Sequence, residues 1–586
     1  MLVTWDNVDD VVAKISRENT PGLDTETYHN GHMFALQIAC EEDVYYFNFL
    51  DYGDGTPYLE KHEVCKRLAP VFEDTSKVWF IQNAKFDLHR LLWCGAYIRG
   101  RVHDLMIAER LIYNQYMLYS LAAQSKRRGL AKDDTVEKYV KEHKLSEYVS
   151  IPGKKTREKI SHYELVPFSI MYQYGAHDAV LHRTIGLDQI QNIPHWGLYL
   201  EECANTKTCL KMENRGVCVD TDYAQKGREH EETKVEQAEK KLTEIGGRPF
   251  KNGPKWLQTV FDEQSIPYRI NPKTGNPVFD KSALETIDHP IAEWIRERRR
   301  AEQYISTYYS TFIYKNKGGV IHPDMKQGGT DTGRFSYANP NLQNVPKEED
   351  SKAGDIEVRK CIVPREGYTL VPIDFKQQEF RLMLDYAKER KLIQKVMAGA
   401  DLHQATADMV GIQRTFAKRL NFALLYGMGV DKMAVELGVS RREAEMMKLE
   451  YFGRLPNVED LIYRVIGTAK RRGNVKSCAG RILQFPSKEF AYKAPNHLIQ
   501  GGCGDIAKIA MNRCDEYIEE NNLPINMLIQ VHDEIIFEVR NDAFEHMYRL
   551  KDIMENVYTP RNGMDMECSI EYSHTSWGKQ DLKEVV

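Results

Sequence analysis

The chain is expected to fold as a series of α/β and α+β domains, and three observations predict this. Its 586 residues suffice for about three to five domains at roughly 100–200 residues each. Hydrophobic content of 42% and charged content of 28% are those of an ordinary globular protein. The texture also changes twice. Short apolar segments alternate with helical patterns to about residue 195, charged helical periodicity runs to about 325, and strands and helices mix again beyond about 330.

Several classes are set aside by the same survey. No apolar run reaches the roughly 18 residues that would span a bilayer, so no membrane association is expected. The start, "MLVTWDNVDDVVAKISREN", lacks the charged-then-apolar order of a signal peptide. The 11 cysteines have no CxxC pair and no metal-type spacing with histidine, so they read as reduced thiols of a cytosolic protein. A net charge of −5 does not by itself suggest nucleic acid. Basic tracts at 125–132 ("SKRRGLAK"), 153–159 ("GKKTREK"), 296–300 ("RERRR") and 470–472 ("KRR") are each more commonly a solvated face, but their number suits a phosphate track.

Taken in order, "GLDTETYHNGHMFALQIACEEDVYYFNF" reads as strands with a polar turn near His29-Asn30-Gly31. "VWFIQNAKFDLHRLLWCG" reads as strand, short loop and helix, and "SIMYQYGAHDAVLHRTIGLDQI" as a helix. Asp24 and Glu26, two apart on a strand, face one side. Asp87 opens the following helix. Tyr174 and Asp178 lie one helical turn apart. Any one of these acids alone is more commonly a surface group. Together they are what a two-metal hydrolase needs: acids to hold the ions and a tyrosine to position the attacking water.

The middle segment, with "HPIAEWIRERRRAEQYISTYYSTFIYK", is expected to be a helical arm with little core of its own. Beyond it, "GYTLVPIDFKQQEFRLM" is an apolar strand ending in Asp374. "NMLIQVHDEIIFEV" is a hairpin whose turn carries His532, Asp533 and Glu534. Adjacent carboxylates at a turn repel each other, so the arrangement points to a cation, and hard cations want more oxygens than one turn offers. If the two segments pair, Asp374 and Asp533 project at one edge and can share two divalent ions about 3.5–4 Å apart, the arrangement that serves in-line phosphoryl displacement. Between them, in "QRTFAKRLNFALLYGMG", Arg414, Lys418, Phe422 and Tyr426 recur every fourth residue along one helix face. The cations suit a triphosphate and the rings a base or sugar. In isolation the same spacing equally describes an amphipathic helix with snorkelling cations.

These segments resemble the three polymerase motifs of family A, the DNA polymerase I-like enzymes: "DFKQQEFR", then Arg414, Lys418, Tyr426 and Gly427 in the Arg-x3-Lys-x7-Tyr-Gly pattern, then "QVHDE". "TDTGRFSYANPNLQNVP" (330–346) resembles the family's Thr-Gly-Arg and Pro-Asn-Leu-Gln-Asn segments, which handle primer–template. At the other end Asp24, Glu26, Asp87, Tyr174 and Asp178 resemble the proofreading 3′–5′ exonucleases of the Asp-Glu-Asp-Asp-Tyr class. The resemblance covers essentially the whole chain.

The resemblance implies an RNase H-like exonuclease domain (1–195) and a right-hand polymerase. The latter has a helical thumb (196–325), a palm in two parts (326–394 and 496–586) and fingers (395–495). It implies a template-directed DNA polymerase with 3′–5′ proofreading, acting in replication on primer–template DNA and deoxynucleoside triphosphates. Two Mg²⁺ ions would be held at the polymerase site by Asp374, the Phe375 carbonyl and Asp533, with Glu534 in support. Two more would be held at the exonuclease site by Asp24, Glu26, Asp87 and Asp178, with Mn²⁺ tolerated. Arg414, Lys418 and His403 would bind the triphosphate, Lys418 also protonating the leaving pyrophosphate. Phe422 would lie against the sugar and Tyr426 near the templating base, with Gln377 a further substrate contact. Arg334, Asn496, Gln500 and His532 would track the primer end.

Glu379 would close the space of a 2′-hydroxyl, which disfavours the related single-subunit RNA polymerases as a reading. Phe422, where some relatives carry Tyr, implies discrimination against dideoxynucleotides. A stand-alone exonuclease would be expected to lose Asp374 or Asp533, and a non-enzymatic DNA-binding protein either acid set. Departures from the pattern are Lys376, Gln378, Ala423 and Tyr492. Residue 24 lies so near the start that no 5′-nuclease domain is expected before it, which suits a bacteriophage-type replicase in the host cytoplasm. No long insertion of the kind that captures a processivity partner is visible, and the sequence names no helicase or processivity factor.

Overall fold

The computed structural model describes residues 1–150, 157–346, 355–425 and 429–585. Tyr426 lies outside them, as do the side chain of Phe422 and most of the 153–159 tract.

The first domain is built on a five-stranded sheet, Val44–Asn48, Met33–Ala39, Gly22–Thr27, Val78–Ile81 and Arg101–Asp104 in spatial order. The first three strands run antiparallel, and the last two join Gly22–Thr27 in parallel. The hairpin joining Gly22–Thr27 to Met33–Ala39 turns at Gly31, whose φ of 82° suits glycine. The apolar run Met33–Ala39 is buried throughout, as expected for a strand covered on both faces. The long helix Phe168–Gln191 packs across the sheet. It comes so close that a Cβ on Gly22 would stand 2.4 Å from the Ala179 carbonyl oxygen.

The middle region pairs the helices Thr221–Gly246 and Pro290–Tyr304. The expectation of little core is corrected at its tip. Trp256, Leu257, Val260, Phe261, Ile291 and Ile295 close there with Leu242 into a separate buried cluster. Apolar residues spread over short elements 254–295 escape a periodicity count, and the crossing of chain segments brings them together. Much of the 296–300 tract is engaged by partners within the protein, while Arg296 and Arg299 remain exposed. Arg298 pairs with Glu239 and Glu302, Arg299 donates to the Phe279 carbonyl, and Arg300 pairs with Asp355.

The last region holds a second five-stranded sheet, Ile525–Val531, Glu534–Arg540, Tyr368–Phe375, Cys568–Tyr572 and Lys583–Glu584 in order. The 27-residue helix Ala494–Glu520 belongs to the same core. Shorter helices from Arg390 to Arg472 form a lobe beside it. A buried ionic knot joins this region to the helix Trp196–Arg215. Glu202 meets Lys508 at 2.8 Å and also meets Arg481, which reaches Asp505 at 2.6 Å. Burial opposes its charge, yet Lys508 and Arg481 hold the Glu202 carboxyl down at about 2.

The first domain docks on the same region. Asn114 and Gln484 exchange two backbone–side-chain bonds of 3.1 Å, and Asn114 donates to the Asp331 carbonyl at 2.7 Å. All 11 cysteines are free, and none is exposed. Among the described residues no helix is long and apolar enough to cross a membrane.

Candidate active sites

The first candidate site forms on the central strand of the N-terminal sheet. Asp24 and Glu26 pair in register with Gln37 and Ala35 and project on one side, as alternation requires. The close packing at Gly22 carries the helix Phe168–Gln191 over this strand, so Asp178, beside Ala179, reaches Asp24. His182, one turn further, is held in place by its Nδ1, which donates to the Leu23 carbonyl at 2.7 Å. Its Nε2 stands 4.0 Å from Asp24. Asp87 enters from the first turn of the helix Lys85–Trp93. The Thr25 hydroxyl donates to it at 2.6 Å, and the start of that helix is tied down by Ala84 N–H donating to Asp104 at 2.7 Å.

Burial and mutual repulsion govern the titration of the four acids. Burial pushes Asp24 up to about 7 although the Lys132 ammonium pulls the other way. Burial, then Asp24, lifts Asp178 to about 6. Glu26 and Asp87 are raised well above the usual range by burial and by the charge of Asp24. Tyr174, whose hydroxyl donates to Glu137 at 3.2 Å, is raised by burial and by the charges of Glu26 and Asp178.

Glu26 Oε1 and Asp178 Oδ1 are buried without a hydrogen-bond partner. Carboxylate oxygens left so are costly unless a cation meets them. Two bare oxygens among four mutually repelling acids suit hard divalent ions, although among the described residues no three of these acids bring ligand atoms within 4.8 Å of one another. Sequence reading missed Lys132, Thr25 and His182 here. Lys132 was visible only as the end of a basic tract.

The second candidate site lies at one edge of the C-terminal sheet. Asp374 pairs in register with Glu534, and Val531 pairs with Glu534 from the other strand, leaving His532-Asp533 as a two-residue turn. His532 takes the left-handed conformation this turn requires, at φ 55°. The Phe375 N–H donates to the Asp533 carbonyl at 3.0 Å. Asp374, Phe375 and Asp533 are thereby brought to one edge, as expected.

The turn is braced by a loop glutamine whose role no local sequence signal marks. Gln343 accepts from His532 N–H at 3.0 Å and donates to the Gln530 carbonyl at 2.9 Å. Gln377 sits in left-handed conformation, φ 53°, just ahead of the helix Gln378–Ala387. That helix carries Glu379, which is ion-paired with Arg334. Gly504 permits this, since a Cβ there would meet Arg334 Cγ at 3.1 Å. Asn496 and Gln500 share the helix Ala494–Glu520 one turn apart, both partly buried.

Arg414 and Lys418 lie exposed on the helix Arg414–Leu425. Arg414 is held by Asp401 at 2.9 Å. His403 is turned inward at 3% exposure, with Asn421 at 3.0 Å, and burial, opposed by the Asp401 carboxylate and aided by the Arg414 and Lys418 charges, leaves its pKa lowered. The departure at Lys376 has a local reason: with Arg381 it shares Glu567, at 2.7 and 2.5 Å. Tyr492 is exposed.

Comparisons with known proteins agree with this layout. The profile described as DNA polymerase family A matches residues 190–579, and that described as 3′–5′ exonuclease matches residues 3–186. DNA polymerase I of Pseudomonas aeruginosa is 29% identical over 527 residues, 84% of this chain and 56% of that protein. The thermostable DNA polymerase I of Thermus aquaticus is 31% identical over 385 residues, 61% of this chain and 46% of that protein. The chain thus spans about half the length of these bacterial relatives. The DNA polymerase DpoZ of Salmonella phage PMBT28 is 27% identical, covering 93% of this chain and 95% of that protein. A solved structure, the POL domain of Pol1 from M. smegmatis in complex with DNA primer-template and dNTP, shares the fold. Its TM-score is 0.81 at 24% identity, over 98% of this chain and 99% of that one. The chain belongs to DNA polymerase family A and carries a 3′–5′ exonuclease domain ahead of its polymerase domain.

Proposed function

We propose that the protein copies a DNA template by adding deoxynucleotides to a primer 3′-hydroxyl, and proofreads with a separate 3′–5′ exonuclease site, as a replicative enzyme. The observation that carries this reading is the pair of acid clusters on two different sheets. Asp374 and Asp533 are tied together through the Phe375–Asp533 backbone bond, and Asp24, Glu26, Asp87 and Asp178 are coupled through burial and charge.

At the polymerase site Asp374, the Phe375 carbonyl and Asp533 would hold two Mg²⁺ ions. These supply Lewis acidity to the attacking hydroxyl and to the leaving pyrophosphate. Arg414 and Lys418, exposed on one helix face, meet the triphosphate, and Lys418 supplies the proton that leaves with pyrophosphate. Arg414 gives up Asp401 when phosphate arrives, exchanging one anionic partner for another. Glu379, anchored by Arg334, closes the position of a 2′-hydroxyl. His532, Asn496 and Gln500 follow the primer end.

At the exonuclease site the four acids would hold two further ions, Mg²⁺ or Mn²⁺. The Tyr174 hydroxyl orients the attacking water, and a frayed mismatched end supplies the single strand. Domain limits near 195, 325, 395 and 495 suit this division of labour. An enzyme of this kind meets its template and nucleotides in the cytoplasm, that of the host if the chain is a phage protein.

The test is a 5′-labelled primer on a longer DNA template with Mg²⁺, sampled with and without deoxynucleotides. Extension in their presence and stepwise shortening in their absence are expected. Shortening without extension would refute the polymerase assignment for this chain acting alone.

A further inference from the structure

One cation stands inside the carboxylate cluster of the exonuclease site. The Lys132 Nζ is 2.9 Å from Asp178 Oδ2, 4.2 Å from the centroid of the Tyr174 ring and 3.1 Å from the Asp133 carbonyl. The side chain is only 16% exposed. A lysine that packs its stem inward usually keeps its head in water. This one points its head at the acid and the aromatic ring that share one face of the helix Phe168–Gln191.

The placement is built in by the backbone. The loop carrying Lys132 is fastened to that same helix by His177 Nε2, which donates to the Ala131 carbonyl at 2.8 Å. It is fixed on the far side by Asp133, which accepts from Thr135 N–H at 2.9 Å. Upstream, Arg128 is clamped to Glu109 and Asp188 at 2.8 and 2.7 Å. The main chain is therefore held on both sides of Lys132.

We propose that Lys132 is a positioning residue of the exonuclease site, one that holds Asp178 and Tyr174 in register through their shared contact with its ammonium and that competes with divalent ions for Asp178. This rests on the exonuclease reading above. A divalent ion at Asp178 and an ammonium on the same carboxylate repel each other strongly at this separation. When the ion binds, Lys132 leaves Asp178 and stays over the Tyr174 ring, the second of its two contacts, where cation–π attraction still holds it. Tyr174 is then fixed from above while its hydroxyl orients water.

The role has a signature that a structural lysine lacks. Removing the ammonium takes away a competitor for the ion and also the brace on Tyr174, so metal binding tightens while turnover slows. The full chain is compared with Lys132→Met and Lys132→Arg, each also made with Asp374→Asn and Asp533→Asn so that metal binding reports on the exonuclease site. Mn²⁺ alone is titrated by calorimetry at a pH well above the titration of Asp24 and Asp178, so that the rise in their pKa on losing Lys132 leaves them ionised, and shortening of a single-stranded oligonucleotide is timed at saturating Mg²⁺. Lys132→Met is expected to bind Mn²⁺ roughly tenfold more tightly, the order set by losing one charge close to a partly buried carboxylate. Its kcat is expected to fall at least about tenfold with KM little changed, as loss of a positioning contact implies, and Lys132→Arg to regain most of both. Unchanged Mn²⁺ affinity, weaker Mn²⁺ binding, or unchanged kcat would overturn the inference.

The melting midpoint in EDTA reports whether the methionine variant folds, and if it does not, Lys132→Gln, which also removes the charge, is read by the same two measurements with the same expected outcomes. Absence of shortening by the unmodified chain would count against the exonuclease reading instead, and the Mn²⁺ competition would still decide the contact itself.

Discussion

Protons and metal ions should compete at the exonuclease site, and the competition has a computable size. Asp24 lies at about 7 and Asp178 at about 6, while ion binding needs both as carboxylates. Between pH 6 and pH 8 a group of pKa 7 goes from roughly one-tenth to about nine-tenths ionised, and a group of pKa 6 from about half to nearly full ionisation. From these two acids alone the apparent metal affinity rises about twentyfold over two pH units, and Glu26 and Asp87, also raised, steepen the rise.

The stability of the metal-free protein should run the opposite way. Both carboxyls titrate above their unfolded values, so the folded state binds more protons than the unfolded one between about pH 4 and pH 7. Stability from this source is full below the unfolded values and is lost as pH rises through the folded ones. Added Mg²⁺ should therefore raise the melting midpoint more at pH 8 than at pH 6. The assay is the half-saturating Mg²⁺ for shortening of a single-stranded oligonucleotide at several pH values, paired with melting in EDTA and in Mg²⁺. Asp24→Asn, read by melting alone, serves as the variant that cannot titrate at that position. A metal requirement independent of pH from 6 to 8 would refute the reasoning, because it would mean that the acids are ionised before the ion arrives.

Other expectations follow from the remaining contacts. Asp533→Asn should lower primer extension by a factor on the order of 10³ or more, as loss of metal-borne electrostatic stabilisation implies, and leave shortening intact, while Asp24→Asn should do the reverse. Residual fast extension by the first, or unchanged shortening by the second, would sink the corresponding assignment. Gln343→Ala removes both braces on the His532-Asp533 turn. It should cost about 1–3 kcal/mol in urea unfolding and slow extension more than it weakens DNA binding, as pre-steady-state kinetics would show. Lys508→Met leaves Glu202 in the interior with Arg481 as its remaining charged partner. It should destabilise the chain by roughly 3–5 kcal/mol, read from the shift in urea midpoint.

Much of both sites was legible in the sequence because their acids sit on elements with strong local signals. The alternation around Asp24 and Glu26, the one-turn spacing of Tyr174 and Asp178, and the apolar strand ending at Asp374 each orient a side chain from local geometry alone. Lys132, Thr25 and Gln343 were missed for a common reason. Each acts on a residue far away in the chain, and nothing in the local pattern of a lysine in a basic tract or a glutamine in a loop says which partner it will meet. His403 shows the same limit from the other side, since its position in the motif said nothing of the inward turn against Asn421.

The sequence by itself determined the residue types, their order and the periodicities of the elements that carry them. From these came the candidate acids and the division into an α/β region, a charged helical arm and a mixed region, while the meeting of Asp374 with Asp533 was only what the family resemblance implied. Tertiary structure alone decided what surrounds the acids. Gly22 admits the helix that brings Asp178 to Asp24, the loop fastened by His177 delivers Lys132 to the cluster, and burial lifts Asp24 to about 7. The physical reason is that desolvation and Coulomb energy depend on distances between segments, which are set by packing of the whole chain, whereas strand alternation and helical spacing are properties of a few consecutive residues.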